Sequence, residues 1–186
     1  MRAILLDGLW GYGEGRFRPM ARAFERHGAS RIEIFRYDCS GRSSFESLAR
    51  EFTAFVRRSP EPAVVLAHSM GGLVLRTALL HEPALPIRRV AFINVPHTGS
   101  WAGWLLPFAG IRQMRPGSAF LRRLADQAWE IPSLAIWCPG DLMVLPGSSA
   151  RWARAHSTEC CWVPAHIWPM VSPGWQKRIA RFLFQT

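Results

Sequence analysis

A chain of 186 residues with 49% hydrophobic content can bury one sizeable core and is short for two independent ones. Its 23 Lys+Arg against 13 Asp+Glu give a formal charge of +10, which favours encounters with polyanions and with anionic membrane surfaces. The cations are scattered arginines from Arg2 to Arg181 with Lys177 as the lone lysine, and no basic stripe interleaved with aromatics appears, so no nucleic-acid partner is expected.

From Met1-Arg2 the chain enters Ala3–Leu6, an apolar run too short for a signal-peptide core and followed by turn residues; it reads as a first strand. Charges and prolines interrupt every later apolar run before it reaches the ~20 residues that span a bilayer, so a soluble protein is expected. Further strands are expected at Arg31–Tyr37, Ala63–Ala67, Arg89–Asn94, Ser133–Cys138 and Glu159–Val163, each β-rich and bounded by turn signals. Helical spacing fills the intervals at Phe17–His27, Ser44–Arg57, Met70–His81, Ser118–Trp129, Ser148–His156 and Pro173–Phe184, with Ser44 and Ser118 as N-caps. Alternating strands and helices, with continuously apolar central strands, predict a single α/β domain over residues 1–186. Its sheet should hold about six mostly parallel strands covered by helices on both faces. Functional groups in such sheets gather beyond the carboxyl ends of the strands.

Cys39, Cys138, Cys160 and Cys161 are read as reduced thiols of a cytoplasmic protein. Adding His156 and His166 to Cys160-Cys161 gives no standard ligand spacing, so no metal is expected.

The densest chemical signal is Val64-Val65-Leu66-Ala67-His68-Ser69-Met70-Gly71-Gly72, a strand, a tight turn and a helix start in succession. Such a turn exposes a serine hydroxyl above the sheet near the positive end of the helix, and it requires small neighbours where helix passes strand. Ala67 stands where the G-x-S-x-G pattern has its first glycine and is small enough to serve. A serine needs a base, and the base an orienting acid. Among the acids after Ser69, only Asp141 follows a strand directly, after the Pro139-Gly140 turn; its alternative role is to cap the next segment. His166 follows the last strand and is the favoured base; His97, in Pro96-His97-Thr98-Gly99-Ser100, is the competitor, while adjacent His68 diverges from Ser69 on the turn. An oxyanion would be met by the N–H of Met70 and by one from the loop Asp7-Gly8-Leu9-Trp10-Gly11-Tyr12-Gly13, with Leu9 first choice and Trp10 next.

Taken together, this oxyanion turn, the Ala67-His68-Ser69-Met70-Gly71-Gly72 elbow, Pro96–Ser100, Asp141 and His166 resemble the small, lidless bacterial lipases and esterases of the α/β-hydrolase superfamily. The resemblance runs from Leu5 to about Trp168 and implies a trimmed α/β-hydrolase fold, carboxylic-ester hydrolysis and no cofactor. Many relatives carry His-Gly where this chain has Asp7-Gly8, which changes the charge beside the oxyanion turn. A Trp-rich stretch from Trp101 and Trp104 through Leu105, within a candidate small cap over residues 98–130, joins Trp10 and Trp168 as a candidate surface for an acyl chain or a lipid-like ester. Peripheral contact with anionic membrane fits the charge. An acyltransferase or thioesterase with the same three residues, or a catalytically silent binding protein, are the rival readings.

Overall fold

The computed structural model describes residues 1–11 and 14–185. Six strands, β1 (Arg2–Leu6), β2 (Arg31–Phe35), β3 (Ala63–His68), β4 (Ile87–Ile93), β5 (Ser133–Trp137) and β6 (Ser157–Cys160), form one sheet in the order β2-β1-β3-β4-β5-β6. Every neighbouring pair is parallel. The chain therefore starts one strand in from an edge of the sheet, builds outward to β2, then crosses β1 and builds the other way. That reversal leaves the ends of β1 and β3 side by side with their connections leading apart, the crevice in which open α/β sheets place ligands.

Parallel strands must be covered on both sides, and the residue alternation divides the core accordingly. Ile4, Leu6, Val65 and Ala67 face one layer, built from α2 (Phe45–Val56), α3 (Met70–His81), α4 (Ala109–Gln113) and α5 (Ala119–Ala125) through Phe45, Phe52, Leu73 and Phe120. Ala3, Leu5, Val64 and Leu66 face the other layer, formed by α1 (Arg18–Arg26), α6 (Trp168–Val171) and α7 (Pro173–Phe184) through Phe24, Met170, Ile179 and Leu183. The hydroxyls of Ser44 and Ser118 accept from the N–H groups of Ser47 and Leu121, at 3.3 and 3.1 Å, as N-caps of α2 and α5.

Three expectations differ from the structure. No helix spans Ser148–His156: a 3₁₀ turn, Gly147–Ala150, ends at Arg151, whose ψ of 120° returns the chain to extended form. The cause lies in Trp152, whose ring stacks on His97 at 4.7 Å and meets Phe92 and Trp129 edge-on at 5.0 and 4.9 Å, an aromatic cluster that outweighs local helix preference. The last strand runs over Ser157–Cys160 rather than Glu159–Val163, because its ladder with β5 begins at Leu134↔Ser157. The helix expected to reach Trp129 ends at Ala125, after which Gln127 turns inward and accepts from Arg76.

The 98–130 segment holds a 3₁₀ helix, Trp101–Trp104, together with α4 and α5. Ile111, Met114, Phe120, Leu121 and Leu124 from it belong to the core, while Trp101, Trp104 and Leu105 are 68%, 63% and 80% exposed. No helix among the described residues is long and apolar enough to cross a membrane.

Candidate active site

Ser69 joins β3 to α3 with φ 52° and ψ −125°, a conformation that L side chains rarely adopt and that costs on the order of 1–3 kcal/mol. Its N–H is anchored on the Ile93 carbonyl at 2.8 Å. Crowding enforces the turn. A side-chain carbon placed on Gly8 would fall 2.5 Å from Ser69 Cβ and 3.0 Å from Oγ, and one placed on Gly71 would fall 2.5 Å from the Asp7 carbonyl oxygen. The β1 loop thus runs along the serine hydroxyl with no room for substituents, as the glycine content of both segments requires.

Asp141 and His166 meet beyond the ends of β5 and β6. Oδ2 of Asp141 accepts from Nδ1 of His166 at 2.6 Å, while Oδ1 accepts from the N–H groups of Met143 and Val144 at 2.8 and 3.0 Å. Burial pushes the carboxyl up, but the His166 hydrogen bond and charge, with the two N–H donors, outweigh it and hold Asp141 below its ordinary value. Nε2 of His166 is sheltered from solvent and has no hydrogen-bond partner among the described residues. The backbone of His166 is fixed as well: its carbonyl accepts from Nδ2 of Asn94 at 2.7 Å, with Nε2 of His68 at 3.4 Å from the same oxygen. Asn94 is fully buried and sits at φ 48°, just past β4. The sequence pattern places Asn94 at the end of a strand; the signal for its role is an asparagine, a residue that tolerates the left-handed region, placed directly after a buried strand.

Asp7 occupies the position that raised a charge question. Its carboxylate is buried and accepts from the N–H of Gly8 at 2.8 Å, with the Arg16 guanidinium and Nδ1 of His68 each 3.2 Å away. Burial raises its pKa, but His68, the Gly8 N–H and Arg16 prevail and keep it low. Its carbonyl accepts from the Tyr37 hydroxyl. Asp7 is therefore a knot for the β1 loop. His68 is held below its ordinary value by burial and by the neighbouring His166, whose ring centre is 4.6 Å away. The Trp10 N–H donates to the Cys39 carbonyl at 2.8 Å, whereas no partner is present for the N–H groups of Leu9 and Met70 among the described residues. Tyr12 and Gly13 lie outside the described residues.

His97 is committed elsewhere. Its Nδ1 is 3.3 Å from the Arg76 guanidinium and its ring stacks on Trp152. Burial and the Arg76 charge drive its protonation well below the ordinary range.

Beside Ser69 lies a cavity of about 50 Å³ whose walls include Leu9, Ile111, Met114, Met143 and Val144. None of Trp10, Trp101, Trp104, Leu105 or Trp168 lines it; all five are exposed. They emerge from connections that follow β1, β4 and β6, at the same end of the sheet as Ser69.

A sequence model described as "Alpha/beta hydrolase family" matches residues 6–185. The chain is a member of the α/β-hydrolase family. No curated protein matches it by sequence. Among solved structures, this hydrolase-family chain is similar to lipase B of Aspergillus fumigatus at 16% identity and a TM-score of 0.77, over 94% of this chain and 50% of that one. It is also similar to the mature lipase BlEst2 of Bacillus licheniformis, at 16% identity and 0.71, over 89% and 84%. With phospholipase PlaB of Legionella pneumophila it shares 15% identity at 0.66, over 74% and 38%. The chain thus spans half or less of the length of the Aspergillus and Legionella proteins, and at these identities the likeness is one of fold.

Proposed function

We propose that the protein is a serine carboxylic-ester hydrolase, with Ser69 as nucleophile, His166 as general base and acid, and Asp141 as the group that orients and stabilises the imidazole. The observation that carries this reading is the Asp141–His166 contact of 2.6 Å at the same end of the sheet as a serine held at φ 52°. A serine hydroxyl is inert until a base takes its proton, and Asp141 fixes the tautomer that leaves the His166 Nε2 lone pair free to do so.

Ser69 Oγ then attacks the ester carbonyl carbon as its proton passes to Nε2. The carbonyl oxygen becomes an oxyanion met by the N–H groups of Leu9 and Met70, two donors without partners among the described residues, so their alignment costs little at the moment of reaction. Collapse breaks the bond to the leaving alkoxide, which takes the proton from Nε2 and departs as alcohol. Water attacks the acyl-serine, giving its proton to the same nitrogen, and Ser69 is regenerated as the carboxylic acid leaves.

The substrate side of the reading is an apolar, lipid-like ester. It is supported by the apolar cavity beside Ser69, by the exposed Trp101, Trp104, Leu105 and Trp168, and by the lipases and phospholipase that share the fold. The exposed tryptophans and the +10 charge together favour peripheral contact with an anionic membrane. The reading is tested by 4-nitrophenyl butanoate hydrolysis in the native protein and in Ser69→Ala. Loss of at least about a thousandfold in kcat supports it; full activity in the variant contradicts it.

A further inference from the structure

The cavity beside Ser69 also sets a limit on what the site accepts. We infer that the acyl group of the substrate is short, about two to six carbons counting the carbonyl, and that Ile111 and Met114 fix this limit. The inference rests on the serine-hydrolase reading above and specifies its substrate.

Which half of the ester enters the cavity follows from the chemistry. The leaving oxygen must sit against Nε2 of His166 to receive its proton, so the alcohol lies on the His166 side. The cavity is lined by Ser69 and Leu9 but not by His166, so it takes the acyl side. Of its lining, Pro96, Gly103, Ile111, Met114 and Val144 are all buried. Ile111 cannot readily retreat: its N–H and that of Gly110 are tied to the Gly41 carbonyl at 3.3 and 3.0 Å, which fixes the start of α4 against the loop after β2. At about 50 Å³ the space holds a few carbon-sized groups beyond the carbonyl and not a long chain.

The lining also excludes polar acyl groups. Among the described residues that line it, the one polar side chain besides Ser69 is that of Ser100, whose hydroxyl is already engaged by the N–H groups of Leu145 and Ala102 at 2.9 and 3.3 Å and by the Met143 carbonyl at 3.2 Å. A charged or hydroxylated chain would lose water there and find no partner. On the alcohol side Trp168, two residues beyond His166, is exposed. The exposed tryptophans therefore belong to the alcohol, or to the surface that presents it, rather than to a long acyl chain.

The test is a series of 4-nitrophenyl esters from acetate to palmitate, read as kcat/KM. The native protein should gain about fourfold per added methylene from acetate to butanoate as each is buried. It should then fall on the order of tenfold or more between hexanoate and decanoate as the chain overfills the pocket. Ile111→Ala should move the optimum at least two carbons longer, and Ala102→Leu, which narrows the cavity, should move it to acetate. Should Ile111→Ala not fold, the native profile decides alone. Decanoate turned over as fast as butanoate by the native protein overturns the inference, as does an optimum that neither folded variant moves. Labelling of Ser69 by a methyl fluorophosphonate separates the two levels of the account. A labelled protein that favours long chains defeats only this inference, whereas an unlabelled protein that hydrolyses no ester defeats the serine-hydrolase reading with it.

Discussion

Oδ2 of Asp141 lies 2.6 Å from Nδ1 of His166, while the other carboxylate oxygen is occupied by the backbone of Met143 and Val144. One side chain thus both aims the imidazole and folds the loop that walls the acyl cavity. Asp141→Asn should lower kcat on the order of 10³–10⁴-fold by permitting the wrong tautomer. Because the Asn carbonyl oxygen can still accept from both N–H groups while its amide faces Nδ1 of His166, the fold should survive. Steady-state kinetics alongside urea denaturation separates the two effects; an Asn variant with native kcat would contradict the role assigned to Asp141.

Asn94 gives a second prediction. Asn94→Gly retains access to φ 48° but deletes the amide that donates to the His166 carbonyl at 2.7 Å. We expect about 1–2 kcal/mol of lost stability from the broken buried bond. A fall in kcat of roughly tenfold with little change in KM should accompany it, as the base loses its placement. Asn94→Ala should be less stable than Asn94→Gly, because it adds backbone strain. An Asn94→Gly variant with unchanged kcat would show that the backbone bond is only structural.

Much of this was legible in the chain. Ser69 advertised itself by strand, turn and glycines in local succession, Asp141 by following a strand directly, and His166 by lying between the last strand and the final helix. Local pattern did not reveal the Asp7–His68 pair, which joins residues 61 positions apart, and it misplaced the elements around Trp152. There the sequence has helical spacing, yet the Phe92–His97–Trp129 cluster claims the tryptophan, and the backbone follows the side chain. Hydrophobicity singles out Trp10, Trp101, Trp104, Leu105 and Trp168 in the sequence, yet it marks both pocket walls and exposed rims. Only the fold distinguishes Ile111 and Met114, which face the cavity, from Trp101 and Trp104, which face solvent.

Asp7 should matter more as a loop anchor than as a local charge. Asp7→Ala leaves the Gly8 N–H and the His68 ring without their acceptor in a buried setting, at a cost of about 1–3 kcal/mol. It also frees the Leu9 segment beside Ser69, so kcat should fall by about 10–100-fold, up to the lower end of what losing one oxyanion donor costs. Asp7→Asn, which keeps an acceptor, should lie between the native protein and Asp7→Ala in both stability and kcat. Equal kcat in all three would remove Asp7 from the account.

The buried histidines set the acid limb of stability. An unfolded histidine takes up a proton near pH 6.5, whereas His97 stays neutral well below that value through burial and the Arg76 charge. As pH falls below about 6.5 the unfolded state binds more protons than the folded one, so stability drops, by at most about 1.4 kcal/mol per pH unit for this group. His68, lowered by burial, adds to the same trend. Urea midpoints at pH 7, 6 and 5 should decline in the native protein and decline less steeply in His97→Gln. Parallel slopes would contradict the assignment.

The central claim, that Ser69 is a nucleophile activated by His166, is tested most directly by intact-mass and peptide-level analysis after exposure to a fluorophosphonate. The account predicts one adduct, on Ser69, absent in Ser69→Ala and formed at least about a hundredfold more slowly in His166→Ala. Folded native protein that takes up no label, or labelling of Ser69 that is as fast without His166, would contradict it.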